Sequence, residues 1–134
     1  HYVPNVGHNL GGGKQAFETL SAFFGLTVLN QPYPVNSWEI SSNKVIAELT
    51  VNAMPENLVE ATLWQTTSSD RDFRNNLWLS KNIKLKDLSK ITASLPLPKK
   101  GYQAFYVETK YKDPNGGTFS VCTRVYVTDT EKVL

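Results

Sequence analysis

Residues 101–128 read GYQAFYVETKYKDPNGGTFSVCTRVYVT. On both sides of Asp113-Pro114-Asn115-Gly116-Gly117, aromatic and β-branched residues occupy nearly every second position. This spacing is typical of β-strands, whose successive side chains point to opposite faces of a sheet. Glycine supplies the positive φ that a tight hairpin turn needs. The stretch therefore predicts long antiparallel strands at 101–112 and 118–128, joined by this turn.

The same alternation recurs in shorter segments upstream of the hairpin. Residues 44–52 alternate polar side chains with Val45, Ala47, Leu49 and Val51. Short strands separated by regularly spaced turn residues are typical of an immunoglobulin-like fold. The sequence therefore predicts a mainly β protein, an immunoglobulin-like antiparallel β-sandwich of about seven strands over residues 36–134. The remaining strands are expected at 38–41, 57–66, 77–79 and 91–95, with Trp64 as the core tryptophan.

Residues 1–30 differ in pattern and are predicted to form a strand end, a glycine-rich loop and a helix. The helix is expected over residues 14–24, with Gly25 as its stop signal. Its apolar stripe follows the spacing i, i+3, i+4, i+7 and consists of Phe17, Leu20, Ser21 and Phe24. A single helix cannot bury such a stripe by itself, so we expect it to be exposed or to dock on another surface. Two prolines in residues 31–35 predict a linker to the sandwich.

Composition and charge limit the classes of protein to which the chain can belong. Of its 134 residues, 40% are hydrophobic and 19% charged, which is enough for one ordinary core. The formal net charge of +2 argues against nucleic acid as the main partner, because a duplex binder concentrates basic residues on one face. No apolar stretch has the length of about 20 residues that spans a membrane. No signal peptide is recognisable, and the start at His1 suggests a processed chain or one cut from a longer protein.

The sequence predicts neither a metal site nor a bound cofactor. Cys122 is the only cysteine, so no internal disulfide and no thiolate cluster is expected. It lies in an alternating apolar run and is predicted to be a buried, inert thiol. The two histidines, His1 and His8, have no group of further ligands at metal-binding spacing around them.

His8 is the first candidate for chemistry. It lies in a loop that follows the predicted strand end and precedes the helix. In α/β-hydrolases the histidine of the catalytic triad occupies such a loop, from which its imidazole reaches a serine supplied elsewhere. The chain contains no Gly-x-Ser-x-Gly nucleophile elbow, so His8 would have no nucleophile within it. The alternative interpretation is an exposed histidine without a catalytic role.

Residues 68–78, SSDRDFRNNLW, form the second candidate. Arginine and tryptophan are frequent at contact hot spots, which favours a recognition loop. The alternative is an ordered loop in which Asp and Arg side chains cap one another while the aromatic side chains fill the edge of the sandwich. A third interpretation is carbohydrate binding through exposed rings, for which the chain offers Trp38, Trp64, Trp78, Tyr102 and Tyr106.

Three segments occur in order along the chain: YVPNVGHNL at 2–10, DRDFR at 70–74 followed by Trp78, and GYQAFYVE at 101–108. Together they resemble the PhoPQ-activated pathogenicity-related protein family, over residues 2–128. The resemblance implies an α/β-hydrolase-like domain with an appended C-terminal β-sandwich, exported to the periplasm or beyond. It also implies that His8 matches a triad-like histidine whose serine and acid would lie upstream of residue 1.

The resemblance further implies a division of the chain. Residues 1–30 would be the C-terminal remnant of the hydrolase-like domain, 31–35 a linker and 36–134 the accessory sandwich. We therefore expect a non-catalytic accessory domain that docks on the missing hydrolase domain or binds a partner or substrate. One alternative is part of an active serine hydrolase with His8 as the triad base, and another is a free-standing ligand-binding or adhesion sandwich. A homo-oligomer formed through the helix at 14–24 is the other expected assembly.

Overall fold

The fold is a sandwich of two antiparallel sheets, seen in a computed structural model that describes residues 1–134. The strands are β1 (Ser37–Ser42), β2 (Ile46–Asn52), β3 (Leu58–Ser68), β4 (Leu79–Asn82), β5 (Lys90–Pro96), β6 (Tyr102–Lys112), β7 (Thr118–Cys122) and β8 (Tyr126–Thr128). One sheet has the order β1-β2-β5, and the other has the order β4-β3-β6-β7, with β8 also paired to β6. The predicted immunoglobulin-like sandwich is confirmed, with eight strands in place of about seven.

The hydrophobic core lies between the two sheets. Leu49 and Leu95 enter it from the three-stranded sheet, and Phe105, Val107 and Tyr111 enter it from β6. All five side chains are at most 2% exposed. These residues sit at every second position of their strands, which confirms the alternation inferred from the sequence.

Trp64 is not a core residue, contrary to the prediction. It lies on β3 directly opposite Tyr106 of β6, on the outer face of the five-stranded sheet. Its neighbour Leu63 belongs to the core cluster. Because side chains alternate along a strand, the inward position of Leu63 requires Trp64 to point outward. There the indole Nε1 donates a hydrogen bond of 3.2 Å to the carboxylate of Glu108.

The fourth strand begins later than predicted. The sequence suggested residues 77–79, whereas β4 runs from Leu79 to Asn82. The backbone before it is bound by side chains instead of by a neighbouring strand. The Leu77 carbonyl accepts a hydrogen bond of 2.9 Å from the Thr66 hydroxyl. Residues 77 and 78 therefore belong to the β3–β4 loop.

The long strand predicted at 118–128 is interrupted by a β-bulge. Four residue steps from Cys122 to Tyr126 lie opposite three steps from Phe105 to Glu108, so one extra residue is present on the outer strand. At the bulge the Thr123 hydroxyl accepts a hydrogen bond of 3.1 Å from a backbone N–H of β6. The interruption separates β7 from β8 without leaving that N–H unpaired.

The helix is longer than predicted. A 3₁₀ turn at Leu10–Gly12 precedes α1, which spans Lys14–Val28 and passes through Gly25 without a break. The true stop signal is Asn30, whose φ of 51° is left-handed. The next N–H donates to the Leu26 carbonyl at 2.9 Å, as in a Schellman motif. No helix in the chain has the length and apolar character needed to cross a membrane.

One face of α1 packs against β7 of the five-stranded sheet. The residues on this face are small or deeply buried: Ala22 is 0% and Leu26 is 6% exposed. Gly25 lies so close to the side chain of Asn115, in the β6–β7 turn, that a Cβ atom at this position would overlap the Asn115 amide. The Asn115 side chain is exposed and could turn aside, so this contact does not by itself require glycine, and Gly25 does not act as a helix stop.

The predicted linker at residues 31–35 is packed against both regions that it joins. The ring of Tyr33 lies 5.6 Å from that of Phe23 on α1 and 5.6 Å from that of Phe119 on β7. Directly after the segment, the Asn36 side chain accepts a hydrogen bond of 2.8 Å from the Tyr111 hydroxyl. These contacts hold the start of β1 against the end of the five-stranded sheet.

Candidate functional site

Residues 1–9 form no strand, contrary to the predicted strand end, and lie against the outer face of the five-stranded sheet, where an aromatic cluster anchors them. The ring of Tyr2 lies 5.0 Å from that of Tyr106, whose side chain is only 1% exposed. Trp78 contacts the same ring at 5.4 Å, and Trp64 stacks on it at 6.5 Å. Burial raises the pKa of the Tyr106 hydroxyl. The other rings thus cover Tyr106, which offers no open face to a carbohydrate, whereas Tyr2 stays 41% exposed.

Asn5 provides a second anchor for this segment. Its side-chain Nδ2 donates a hydrogen bond of 2.9 Å to the Trp78 carbonyl, and its Oδ1 accepts one of 2.8 Å from the Trp78 N–H. The side-chain amide thus bonds both backbone groups of one residue, as a neighbouring strand would. The φ of Asn5 is 60°, in the left-handed region that asparagine adopts more readily than most residues. We call this pair of bonds the Asn5–Trp78 clamp.

His8 lies three residues after the clamp, at the tip of a turn. The Leu10 N–H closes the turn by donating to the Gly7 carbonyl at 3.0 Å. Asn9 continues the loop into the 3₁₀ turn, because its Oδ1 accepts a hydrogen bond of 3.2 Å from the Gly11 N–H. His8 is exposed, and its imidazole makes no hydrogen bond within the chain. The ring is therefore accessible to groups from outside the chain.

A groove of about 560 Å³ separates the His8 loop from the β3–β4 loop. Residues 3–7 form one wall and residues 73–78 form the other. His8 itself follows Gly7 at the end of the first wall and does not line the groove. The two candidate segments, which were predicted separately, are thus neighbours in space and share this groove.

The charged side chains of the β3–β4 loop bind one another. The Asp70 carboxylate accepts hydrogen bonds from the Ser68 hydroxyl at 2.9 Å and from the Asp72 N–H at 3.1 Å. Asp72 forms an ion pair with Arg74 in which Nη2 and Oδ2 are 2.6 Å apart. The hydrogen bonds from Arg74 lower the pKa of Asp72 to about 2. This mutual capping matches the ordered-loop interpretation. It also pairs the Arg74 guanidinium with Asp72, so a ligand in the groove would meet a positive charge that is already neutralised.

Sequence reasoning did not single out Asn5 or Tyr2, and it named Trp64, Trp78 and Tyr106 among the rings for carbohydrate binding without placing them in one cluster. For Asn5 a weak signal was present, since an asparagine after a proline in a loop tolerates a left-handed backbone. Nothing local, however, indicates that its partner is Trp78, which lies 73 residues further along the chain.

The outward side of α1 carries large apolar side chains. At 100° per residue these positions lie opposite Ala22 and Leu26, which face the sandwich. Phe17, Leu20 and Phe24 are exposed, as expected, and Val28 extends the row by one turn. We call this surface the α1 apolar face; its exposed fractions are 68% for Phe17, 62% for Leu20, 69% for Phe24 and 67% for Val28.

Comparison with protein families gives a match that covers more than half of the chain. A model of the PhoPQ-activated pathogenicity-related protein family matches residues 1–74. The chain belongs to this family. In this PhoPQ-related chain, the matched part contains Asn5, His8, α1 and the strands β1 to β3, and it ends at Arg74 in the β3–β4 loop. Comparisons with curated proteins and with solved structures gave no significant match.

Proposed function

We propose that this chain is a non-catalytic C-terminal accessory part of an exported α/β-hydrolase-like protein, and that it docks on the hydrolase domain through the α1 apolar face. One observation carries the proposal: the large apolar side chains of α1 point away from the sandwich. A surface helix usually turns its apolar stripe towards the core. Here the core side holds Ala22 and Leu26, while Phe17 and Phe24 are directed to solvent.

The area of the α1 apolar face suits docking within one protein. Full burial of one such side chain contributes about 1.5–3 kcal/mol. The four side chains are 62–69% exposed, so covering them would contribute about 4–8 kcal/mol. Association of separate molecules costs at least about 4 kcal/mol in lost rigid-body freedom, which would cancel much of this gain. A domain tethered to the same chain avoids most of that cost because its effective concentration is high.

A free-standing binding or adhesion sandwich is supported less well. Such a domain should bury residues 1–30 fully against its own sheets and leave no apolar row on its surface. The exposure of Phe17 and Phe24 does not fit that expectation.

The docking proposal can be tested with a matched pair of substitutions. Phe24→Gln changes the α1 apolar face, and Val45→Gln changes an equally exposed apolar residue, at 65%, on the sandwich. In the longer protein that includes the hydrolase domain, Phe24→Gln should accelerate limited proteolysis at residues 31–35, whereas Val45→Gln should leave the cleavage rate unchanged. Equal rates in both variants would contradict the proposal. Sedimentation of this chain alone should show a monomer, and a dimer that Phe24→Gln abolishes would favour the homo-oligomer instead.

Participation of His8 in catalysis is a second candidate function. It is favoured by the exposed imidazole at the tip of an anchored turn and by the resemblance of residues 2–10 to the triad-histidine segment of the family. A histidine base needs a hydroxyl to deprotonate and a carboxylate that fixes its tautomer. Both would come from the hydrolase domain, so this chain alone would have neither.

The catalytic role predicts a clear contrast between the two histidines. In the longer protein, His8→Ala should lower kcat for a small ester by about 10⁶-fold, the loss that follows removal of a triad histidine. His1→Ala is the matched control and should have little effect. This chain alone should hydrolyse the ester at the background rate, and a rate that disappears in His8→Ala would show that the chain is itself catalytic.

A further inference from the structure

We infer that Asn5 is a positioning residue for His8, because the Asn5–Trp78 clamp fixes the His8 loop to the sandwich. The inference rests on the second candidate function, in which His8 acts as a base. In that case the sandwich would have two roles: it would dock on the hydrolase domain, and it would hold the catalytic histidine in position. The observations that carry it are the two side-chain hydrogen bonds of 2.9 and 2.8 Å and the left-handed φ of Asn5.

The clamp lies close enough to His8 to control its position. An extended chain spans at most about 3.6 Å per residue, so three residues confine the His8 Cα atom to within about 11 Å of the anchor. The turn closed by the Leu10 N–H shortens this reach further. The loop also folds on itself, since a Cβ atom at Gly11 would lie only 3.0 Å from Cγ1 of Val6. His8 is therefore part of a short, closed loop with a fixed base.

The anchor also connects His8 to the second candidate segment. Trp78 ends the wall formed by residues 73–78, and its ring packs on Tyr106 at 5.4 Å. Tyr2, which precedes Asn5 in the sequence, packs on the same Tyr106 ring, and the two ring centroids are 5.0 Å apart. A displacement of the β3–β4 loop would consequently move the base of the His8 loop. Misplacement of a catalytic group by about 1 Å can reduce turnover about 100-fold.

The test uses substitutions that separate the hydrogen bonds from the backbone conformation. Asn5→Gly retains access to the left-handed region but removes both bonds, while Asn5→Asp keeps the acceptor for the Trp78 N–H and removes the donor. Asn75→Ala is the matched control, because Asn75 lines the same groove and its side chain makes no hydrogen bond.

The first readout is backbone order in this chain, measured by ¹⁵N relaxation. In the wild type, residues 6–12 should show order parameters near 0.85, and in Asn5→Gly these should fall below about 0.6. Asn5→Asp should give intermediate values. The ¹H–¹³C signals of the His8 ring should shift in both variants, and Asn75→Ala should behave as the wild type. Unchanged order parameters in Asn5→Gly would overturn the inference.

The second readout is turnover by the longer protein. Asn5→Gly should lower kcat about 10- to 100-fold with KM changed by less than about twofold, because the substrate contacts are retained while the base is misplaced. If His8→Ala leaves turnover unchanged, the catalytic role of His8 fails, and the relaxation experiment still decides whether Asn5 orders the loop. If His8→Ala abolishes turnover but Asn5→Gly leaves kcat unchanged, the positioning role of Asn5 is wrong.

Discussion

Two leucines on α1 allow a matched test of which side of the helix is covered. Leu26 is 6% exposed and faces the sandwich, whereas Leu20 is 62% exposed on the α1 apolar face. Leu26→Ala removes a buried side chain and should lower the free energy of unfolding by about 2–4 kcal/mol. Leu20→Ala removes a side chain that is mostly in water and should change it by less than about 0.5 kcal/mol. Helix propensity does not explain the difference, because both variants replace leucine with alanine in the same helix.

The measurement is urea unfolding of this chain, followed by the fluorescence of its three tryptophans. In thermal unfolding, each kcal/mol should correspond to about 3–5 °C in Tm for a chain of this size. If Leu20→Ala proves as destabilising as Leu26→Ala, the α1 apolar face is already covered in the free chain, and the docking argument is wrong. A midpoint that rises with protein concentration would identify a second copy as the cover.

Three further predictions concern the thiol, one carboxylate and one glycine. Cys122 is only partly buried, whereas a buried thiol was predicted. This partial burial raises its pKa to about 11, so at pH 8 a disulfide reagent should label it at least about 100-fold more slowly than in the urea-unfolded chain. The pKa of Asp72 is lowered from 3.8 to about 2, so its stabilisation of the β3–β4 loop should be complete above pH 4 and lost as pH falls through about 2. The check is a titration of the loop amide chemical shifts between about pH 5 and about pH 1.5. A transition near pH 4 in this titration would mean that the ion pair is absent. Gly101 has a φ of 70°, and a Cβ atom there would overlap the Ser68 carbonyl. Gly116 has a φ of 96°, but its surroundings are open. Gly101→Ala should therefore lower the free energy of unfolding by about 1–3 kcal/mol more than Gly116→Ala does.

The strands could be predicted because each one carries its own signal. In β2 and β5 the side chains at every second position are buried, and this pattern is visible without knowledge of any partner strand. The face that points inward was harder to assign. Trp64 was placed in the core because immunoglobulin-like folds carry a core tryptophan on the third strand. Its neighbour Leu63 faces the core instead, so Trp64 must point outward. Gly25 was taken as a helix stop, whereas the helix continues to Val28 and ends before Asn30, which adopts the left-handed conformation.

The candidate site could be predicted only in part. The exposed row on α1 follows from a local periodicity of Phe17, Leu20 and Phe24, and the structure shows it as expected. The groove depends on contacts between residues 3–7 and 73–78, and no local pattern predicts contacts at such a distance along the chain. The assignment of His8 as a triad base stays a prediction, because its exposed imidazole makes no hydrogen bond to a hydroxyl or a carboxylate within the chain.

The Asn5–Trp78 clamp also has a consequence for the order in which the molecule folds. Its partners are separated by 73 residues, so closing this contact carries the entropy cost of a long loop. The β3–β4 loop must form before it can receive the Asn5 amide, and the sandwich core contains no residue from 1–21. Residues 1–9 should therefore order last during folding and open first under stress, by a local transition that leaves the sheets intact. On this view the chain can release and re-engage His8 many times within the lifetime of one folded sandwich.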